Sequence, residues 1–202
     1  MLEDINMHKS SYEKMNWFKS TFLDKNDTLN ILDVGSLDLE GNYNYKSIFN
    51  EHNWNYVGLD YESGNNVDIV VEDIYNWFEI NDNTFDVVIS GQFLGNLPYF
   101  WLTMVQIERV LKDGGYTCII VPTKCLDDNN RLNCYQFFET GLEYLAKYVD
   151  LDIINISTND IKPWYDSCLV ARKKSDLFNI NNVDNKINHV ESKLDRILKF
   201  IR

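Results

Sequence analysis

The stretch Leu29-Asn30-Ile31-Leu32-Asp33-Val34-Gly35-Ser36 most narrows what this chain can fold into. A short apolar run ends in an acid, then a glycine, then small and polar residues, and a helical pattern resumes near Asn42. That order predicts a buried parallel strand that opens into a ligand loop and a helix N-terminus. In open α/β sheets, ligands sit just beyond the carboxyl ends of the strands, where the loop from Leu37 to Gly41 falls. Gly35 allows the tight turn and the close approach of backbone to ligand.

The rest of the chain repeats the alternation. Ser10 to Leu23 carries apolar side chains at Tyr12, Met15, Trp17, Phe18, Phe22 and Leu23, a broad helical face with Ser10 and Ser11 as N-caps. Its leading residues, His8 to Tyr12, could fold over the ligand mouth. A second helix is expected over Tyr45 to His52, then a strand over Trp54 to Asp60 and another over Val67 to Val71. Phe85 to Ser90 reads as the fourth strand, opening into Gly91-Gln92-Phe93-Leu94-Gly95-Asn96. Pro98 suits the first turn of a helix running to Leu111 with Trp101, Met104, Ile107 and Leu111 as its core face. Lys112 to Gly115 reads as a tight turn before a fifth strand, Tyr116 to Val121. A helix over Cys134 to Tyr148 and strands over Leu151 to Ser157 and Asp166 to Ala171 complete the pattern. Strands alternating with helices predict a mainly parallel, Rossmann-like α/β sheet covered by helices on both faces.

The formal charge of −12 argues against nucleic acid and against an anionic membrane surface, since both need clustered Lys and Arg. Cys118, Cys125, Cys134 and Cys168 stand far apart in sequence with no His at ligand spacing, so neither structural zinc nor a disulfide framework is expected. No metal ligand set is visible. Without a signal-like or membrane-spanning stretch, a cytoplasmic location is expected. From Asn179 onward, Ile180, Val183, Ile187, Val190, Leu194, Ile197 and Ile201 recur at heptad spacing. This narrow stripe predicts a coiled-coil-like helix that joins copies into a homo-oligomer through residues 180–201 or binds another enzyme. A globular unit over residues 1–173 and a linker plus heptad helix over 174–202 follow.

Three acids fall at successive strand ends: Asp33, Asp60 and Asp73. One alone is better explained by a helix cap or a solvated turn. Together they suit an adenosine-bearing ligand: an acid after the second strand accepts both ribose hydroxyls, and one after the third accepts from an adenine amino group, with Ile74 covering the ring. A dinucleotide would need Gly-x-Gly-x-x-Gly; here Asp38 and Glu40 stand between Gly35 and Gly41 and would repel a diphosphate.

Asp33-Val34-Gly35-Ser36, Asp60, Val87-Val88-Ile89-Ser90 and Arg109-Val110-Leu111-Lys112-Asp113-Gly114-Gly115 resemble the motifs of class I S-adenosylmethionine-dependent methyltransferases, over about Met7 to Lys173. The likeness extends to a bacterial subgroup associated with surface-glycan or capsule biosynthesis, through His8 to Met15, Asn66 to Val70 and Ser90 to Gln92. The resemblance implies a seven-stranded sheet whose last strand is antiparallel. It implies S-adenosylmethionine as cofactor and S-adenosylhomocysteine as product, with Asp33, Gly35, Ser36, Asp60, Asp73, Ile74 and Ser90 touching the cofactor; Tyr61 and Gln92 join that set. The expected activity is methyl transfer to a small-molecule acceptor, a sugar or nucleotide-linked intermediate.

Two departures stand out. Relatives carry Glu-His where this chain has Gly95-Asn96, and a second acid/base pair is replaced within Asp127 to Phe137. A positioned general base contributes roughly 10²–10⁴ in rate. The remaining candidates are Asn96, Tyr135 and His8 for catalysis, and Tyr43, Tyr99, Arg131 and Asn133 for the acceptor. The other reading is a non-catalytic methyltransferase-like subunit that assembles through the C-terminal helix.

Overall fold

The computed structural model describes residues 9–39, 44–124, 134–161 and 165–175. Helix α1 (Lys9–Phe22) precedes β1 (Leu29–Val34), and β2 (Trp54–Asp60), β3 (Ile69–Val70) and β4 (Phe85–Gly91) follow. Helix α2 (Phe100–Val110) leads into β5 (Leu111–Pro122); α3 (Glu139–Tyr148), β6 (Leu151–Thr158) and β7 (Asp166–Lys173) close the described chain. The seven strands form one sheet in the order β3-β2-β1-β4-β5-β7-β6. β1 to β5 pair in parallel, and β7 runs antiparallel to both β5 and β6. The Rossmann-like sheet and its antiparallel last strand are those expected. The heptad stretch 180–201 lies outside the described residues.

Strand alternation sends side chains to two cores. Ile31, Ile89, Cys118, Ile120, Cys168 and Val170 face α1, where Met15 and Phe18 cover them together with Tyr45, Ile48 and Phe49. Leu32, Val34, Val88, Ile119, Val121 and Leu169 face α2 and α3, which contribute Met104, Ile107, Leu142 and Leu145. Cys118 and Cys168, distant in sequence, are buried cross-strand neighbours with free thiols 3.7 Å apart.

Several elements differ from the sequence expectation. Ser10 and Ser11 do not cap α1; they lie inside it, both buried, the first with its hydroxyl on Asp166 of β7 and the second on Tyr45. The helix expected over Tyr45 to His52 is one 3-10 turn, Tyr45–Ser47, capped by the Asn44 side chain. Tyr45, Ile48 and Phe49 are buried by that single turn, and Asn50 to Asn53 offers no apolar residue to continue it. The third strand shortens to Ile69–Val70. Pro98 precedes α2 rather than entering it, and Leu111 belongs to β5. Lys112 to Gly115 is no separate turn but part of β5, with Gly114 at φ +74° beside a register shift. α3 starts at Glu139, because Cys134 and Tyr135 donate their amides to the Gly95 carbonyl at 2.8 and 3.0 Å and stay extended.

Between β3 and β4 the described chain has turns and no helix. Trp77 anchors this segment: it is fully buried, and its indole donates to the Ile74 carbonyl at 2.9 Å. Arg109 of α2 locks it from outside, donating to the carbonyls of Trp77 and Ile80, each at 2.8 Å, and to Asp82. Trp77→Ala is therefore expected to cost about 3–5 kcal/mol, as full removal of a buried indole does. Denaturant unfolding followed by circular dichroism measures it.

Candidate active site

The site is built where the loop after β1 meets the end of β2. Val34 lies opposite Leu59, so Gly35 falls beside Asp60. The Gly35 and Ser36 amides both donate to the Leu59 carbonyl, at 2.9 and 3.1 Å, and the Leu37 amide donates to Asp60 Oδ2 at 3.1 Å. The other oxygen of Asp60 accepts from the Tyr61 and Glu62 amides at 2.8 and 3.3 Å. Asp60 is 4% exposed. Three amides on a carboxylate with about four acceptor positions leave room for a further donor.

Gly35 stands at φ +81°, in the left-handed region that glycine enters freely. A Cβ there would lie 2.1 Å from the ring of Phe93, which rests on the glycine and pairs with Tyr61 at a centroid distance of 6.3 Å. Ser36 Oγ donates to the Asn66 carbonyl, and the Asn66 side chain donates back to the Ser36 carbonyl and to the Tyr56 hydroxyl. Tyr56 in turn donates to Asp33. Asp33 thus sits 2% exposed on the α1 face, engaged by a tyrosine rather than turned to the loop. Burial pushes its carboxyl up to about 7, helped by the nearby Asp60 charge and opposed by the Tyr56 hydrogen bond. Burial also raises the Tyr56 and Tyr45 hydroxyls well above the usual phenol range.

The tip of β4 is the second half of the site. Ser90 Oγ donates to the Val34 carbonyl at 2.8 Å, tying β4 to β1. Gln92 adopts φ +61°, and its amide nitrogen donates to Asp166 at 2.8 Å while its Oε1 is buried without a partner. Asp166, fully buried at the start of β7, also accepts from Ser10 of α1. Tyr45 reaches Ser11 at 2.6 Å, and its hydroxyl would lie 1.9 Å from any Cβ at Gly91. Asp73 is exposed and closes its own turn on the Tyr75 amide, with Ile74 buried beside it. Asn96 and Tyr135 spend their donors on backbone: Asn96 on the Gln92 carbonyl at 3.3 Å, Tyr135 on the Pro98 carbonyl at 3.0 Å. Tyr99 and Tyr135 belong to one chain of ring contacts through Trp101 and Phe100. His8, Tyr43, Arg131 and Asn133 lie outside the described residues.

Sequence reasoning did not assign Tyr56, Asn66, Phe93 or Asp166. Asn66 stood inside the quoted stretch Asn66 to Val70, yet its role depends on a left-handed φ of 66°. Asp166 is distant in sequence from Ser10 and Gln92, whose side chains it joins. Among the described residues no group of His, Cys, Asp and Glu could hold a metal, and no helix is long and apolar enough to cross a membrane.

The sheet order and the strand-end loop can be compared with those of known proteins. Residues 37–119 match the sequence profile of the Methyltransferase domain family. No curated protein matches the sequence significantly. Among solved structures, the chain is similar to a SAM-dependent methyltransferase from Methanosarcina mazei (TM-score 0.57, 14% identity, 77% of this chain and 96% of that one). It is also similar to the 1,6-didemethyltoxoflavin-N1-methyltransferase of Burkholderia thailandensis, which holds its substrate and S-adenosylhomocysteine (TM-score 0.62, 14% identity, 83% and 78%). The 4+2 cyclase SpnF shares the fold as well (TM-score 0.64, 14% identity, 86% of each chain). The profile covers under half of the chain and the solved structures share its fold; together they point to S-adenosylmethionine as the cofactor. The donor set fits that group: Asp60 has spare acceptor capacity for ribose hydroxyls, and the orphaned Gln92 Oε1 offers an acceptor for an N–H or O–H donor.

The raised Asp33 carboxyl has a definite sign in stability. The folded state holds this proton more tightly than the unfolded chain. Its contribution is therefore fully present below pH 3.8 and is lost as pH rises to about 7. Asp33→Asn keeps an acceptor for Tyr56 and removes the buried charge. The variant is expected to gain on the parent by up to about 1.4 kcal/mol for each pH unit crossed in that window, and to hold the gain above it. Thermal melts of both proteins across the range measure this; a constant difference would contradict it.

Proposed function

We propose that this protein transfers a methyl group from S-adenosylmethionine to a small-molecule acceptor, a sugar or nucleotide-linked intermediate of surface-glycan synthesis. The single observation that carries the cofactor assignment is Asp60, a buried carboxylate at the end of β2, braced by loop amides and with acceptor capacity to spare. Bound there, S-adenosylmethionine would supply a methyl group activated on a sulfonium sulfur. In this reading Asp60 accepts the ribose hydroxyls, Ile74 and the Asp73 turn flank the adenine, and Gln92 offers its carbonyl to a donor near the reacting end. The glycan acceptor rests on the motif likeness at His8 to Met15, Asn66 to Val70 and Ser90 to Gln92.

No acid/base pair is needed if the acceptor ionises readily. Holding donor and acceptor in line can itself supply about 7–11 kcal/mol of the barrier. The methyltransferase unit spans residues 1–173 of a cytoplasmic protein, and residues 180–201 join copies of the chain.

A second reading, a non-catalytic methyltransferase-like subunit, draws on the hydrogen bonds of Asn96 and Tyr135. Both are held as donors to backbone carbonyls, and neither is the carboxylate or imidazole that the Glu-His pair would supply. Calorimetry with S-adenosylhomocysteine decides first. Micromolar binding is expected, weakened roughly hundredfold or more by Asp60→Asn, which removes charge-assisted hydrogen bonds. Unchanged affinity in the variant would remove the ribose assignment, and absence of binding at millimolar ligand would favour the second reading. Truncation after Lys173 is expected to give a folded monomer where the full chain sediments as an oligomer; an unchanged mass would exclude the heptad role.

A further inference from the structure

On the α1 side of the sheet, β5 and β7 present Cys118, Ile120, Cys168 and Val170 to the helix. β6 lies next in the sheet, and Asn155 and Ser157 are the register partners of Val170 and Cys168, so they share that face. An apolar face would be expected to continue there. Instead it turns polar. The change depends on a register shift between Ile153 and Asn155, the kind of irregularity that re-aims side chains beside a site. Asn155 Oδ1 is buried and has no hydrogen-bond partner, so it carries a desolvation cost that nothing within the fold offsets.

α1 leaves a groove of about 330 Å³ beside these residues, at the small end of the range for small-molecule sites. Trp17 forms one wall. It is 39% exposed, and its indole is steadied edge-on by Phe22 at 5.5 Å. Asn155, Ser157 and Asn159 form the other wall. Glu13 and Lys14 place opposite charges at the groove, and Lys14 is already directed at the Ser157 carbonyl and hydroxyl, at 3.3 and 3.5 Å.

We propose that this groove is a second ligand site, distinct from the strand-end site, and that it takes a neutral, polyhydroxylated molecule the size of one sugar ring. The apolar face of such a ring lies on Trp17, which gives contact area at little entropic cost. A turn of the Asn155 amide about its terminal torsion brings its orphaned carbonyl to the ring hydroxyls, which also exchange hydrogen bonds with Ser157 and Asn159. Glu13 is paired with Lys9 at 3.8 Å and Lys14 is engaged by Ser157, so neither charge is left to select an ion and a neutral ligand is favoured. Ser10 also lines the groove and donates to Asp166, whose other oxygen holds Gln92, so occupancy is in contact with the β4 tip.

The test uses the full chain labelled with nitrogen-15 and contains no cofactor, so its outcome is independent of the methyl-transfer reading. Glucose, galactose, mannose, rhamnose and N-acetylglucosamine, with glucose 6-phosphate as the charged control, are titrated while the Trp17 indole resonance, assigned with Trp17→Phe, is followed. At least one sugar is expected to shift it saturably. Asn155→Leu, which extends the apolar face and is expected to keep the fold, should weaken that sugar roughly tenfold or more, the loss of one buried hydrogen bond. No shift with any sugar at high millimolar concentration overturns the proposal. So does a shift that Asn155→Leu leaves intact, or one produced only by glucose 6-phosphate.

Discussion

Three backbone amides converging on the end of β2 set the geometry of everything else at the strand ends. Gly35 and Ser36 share the Leu59 carbonyl, and Leu37 takes one oxygen of Asp60. The chain leaving β1 therefore cannot continue as a strand; it folds across the neighbouring strand and presents its backbone upward. Glycine is required at position 35 for two separate reasons, the left-handed φ and the Phe93 ring lying where a Cβ would be. The carboxylate that pins the loop keeps acceptor capacity to spare, so under the proposed function loop conformation and cofactor recognition would depend on one side chain.

Beneath this loop runs a buried polar layer on the α1 face. One part links Asp33, Tyr56, Asn66 and Ser36; another links Ser11 with Tyr45; a third links Ser10, Asp166 and Gln92. A buried carboxylate without partners would be prohibitive, and each acid here is held by hydroxyl or amide donors. The arrangement exchanges apolar packing for fixed orientation. It holds Gln92 in a left-handed conformation that costs a non-glycine residue of order 1 kcal/mol or more.

The sheet was legible because its strands are short apolar runs ending in acids or small residues, and such runs have few alternatives in an α/β chain. Asp60 and Gly35 were legible for the same reason, since both follow from position at a strand end. The 3-10 turn at Tyr45 was not: three bulky residues within five positions satisfy a helical period as well as a single buried turn. Ser10 and Ser11 misled because hydroxyls before an apolar face ordinarily cap, whereas here they answer Asp166 and Tyr45, partners that no local window contains. Asp33 was read as a strand-end acid near the cofactor; it does lie at the end of β1, but the alternation of the strand turns its side chain to the α1 face, toward Tyr56.

The hydrogen bond from Ser10 to Asp166 joins residues 156 positions apart. It has a consequence for synthesis. The first helix emerges from the ribosome long before the strand that supplies its buried acceptor, and until β7 inserts between β5 and β6 the Ser10 hydroxyl and the apolar face around Met15 and Phe18 have no complete surface to dock on. Contacts of such separation form late, because loop closure must precede them. α1 is thus made well before the strand on which it finally settles, and the nascent chain carries an incompletely covered sheet face until β7 is in place.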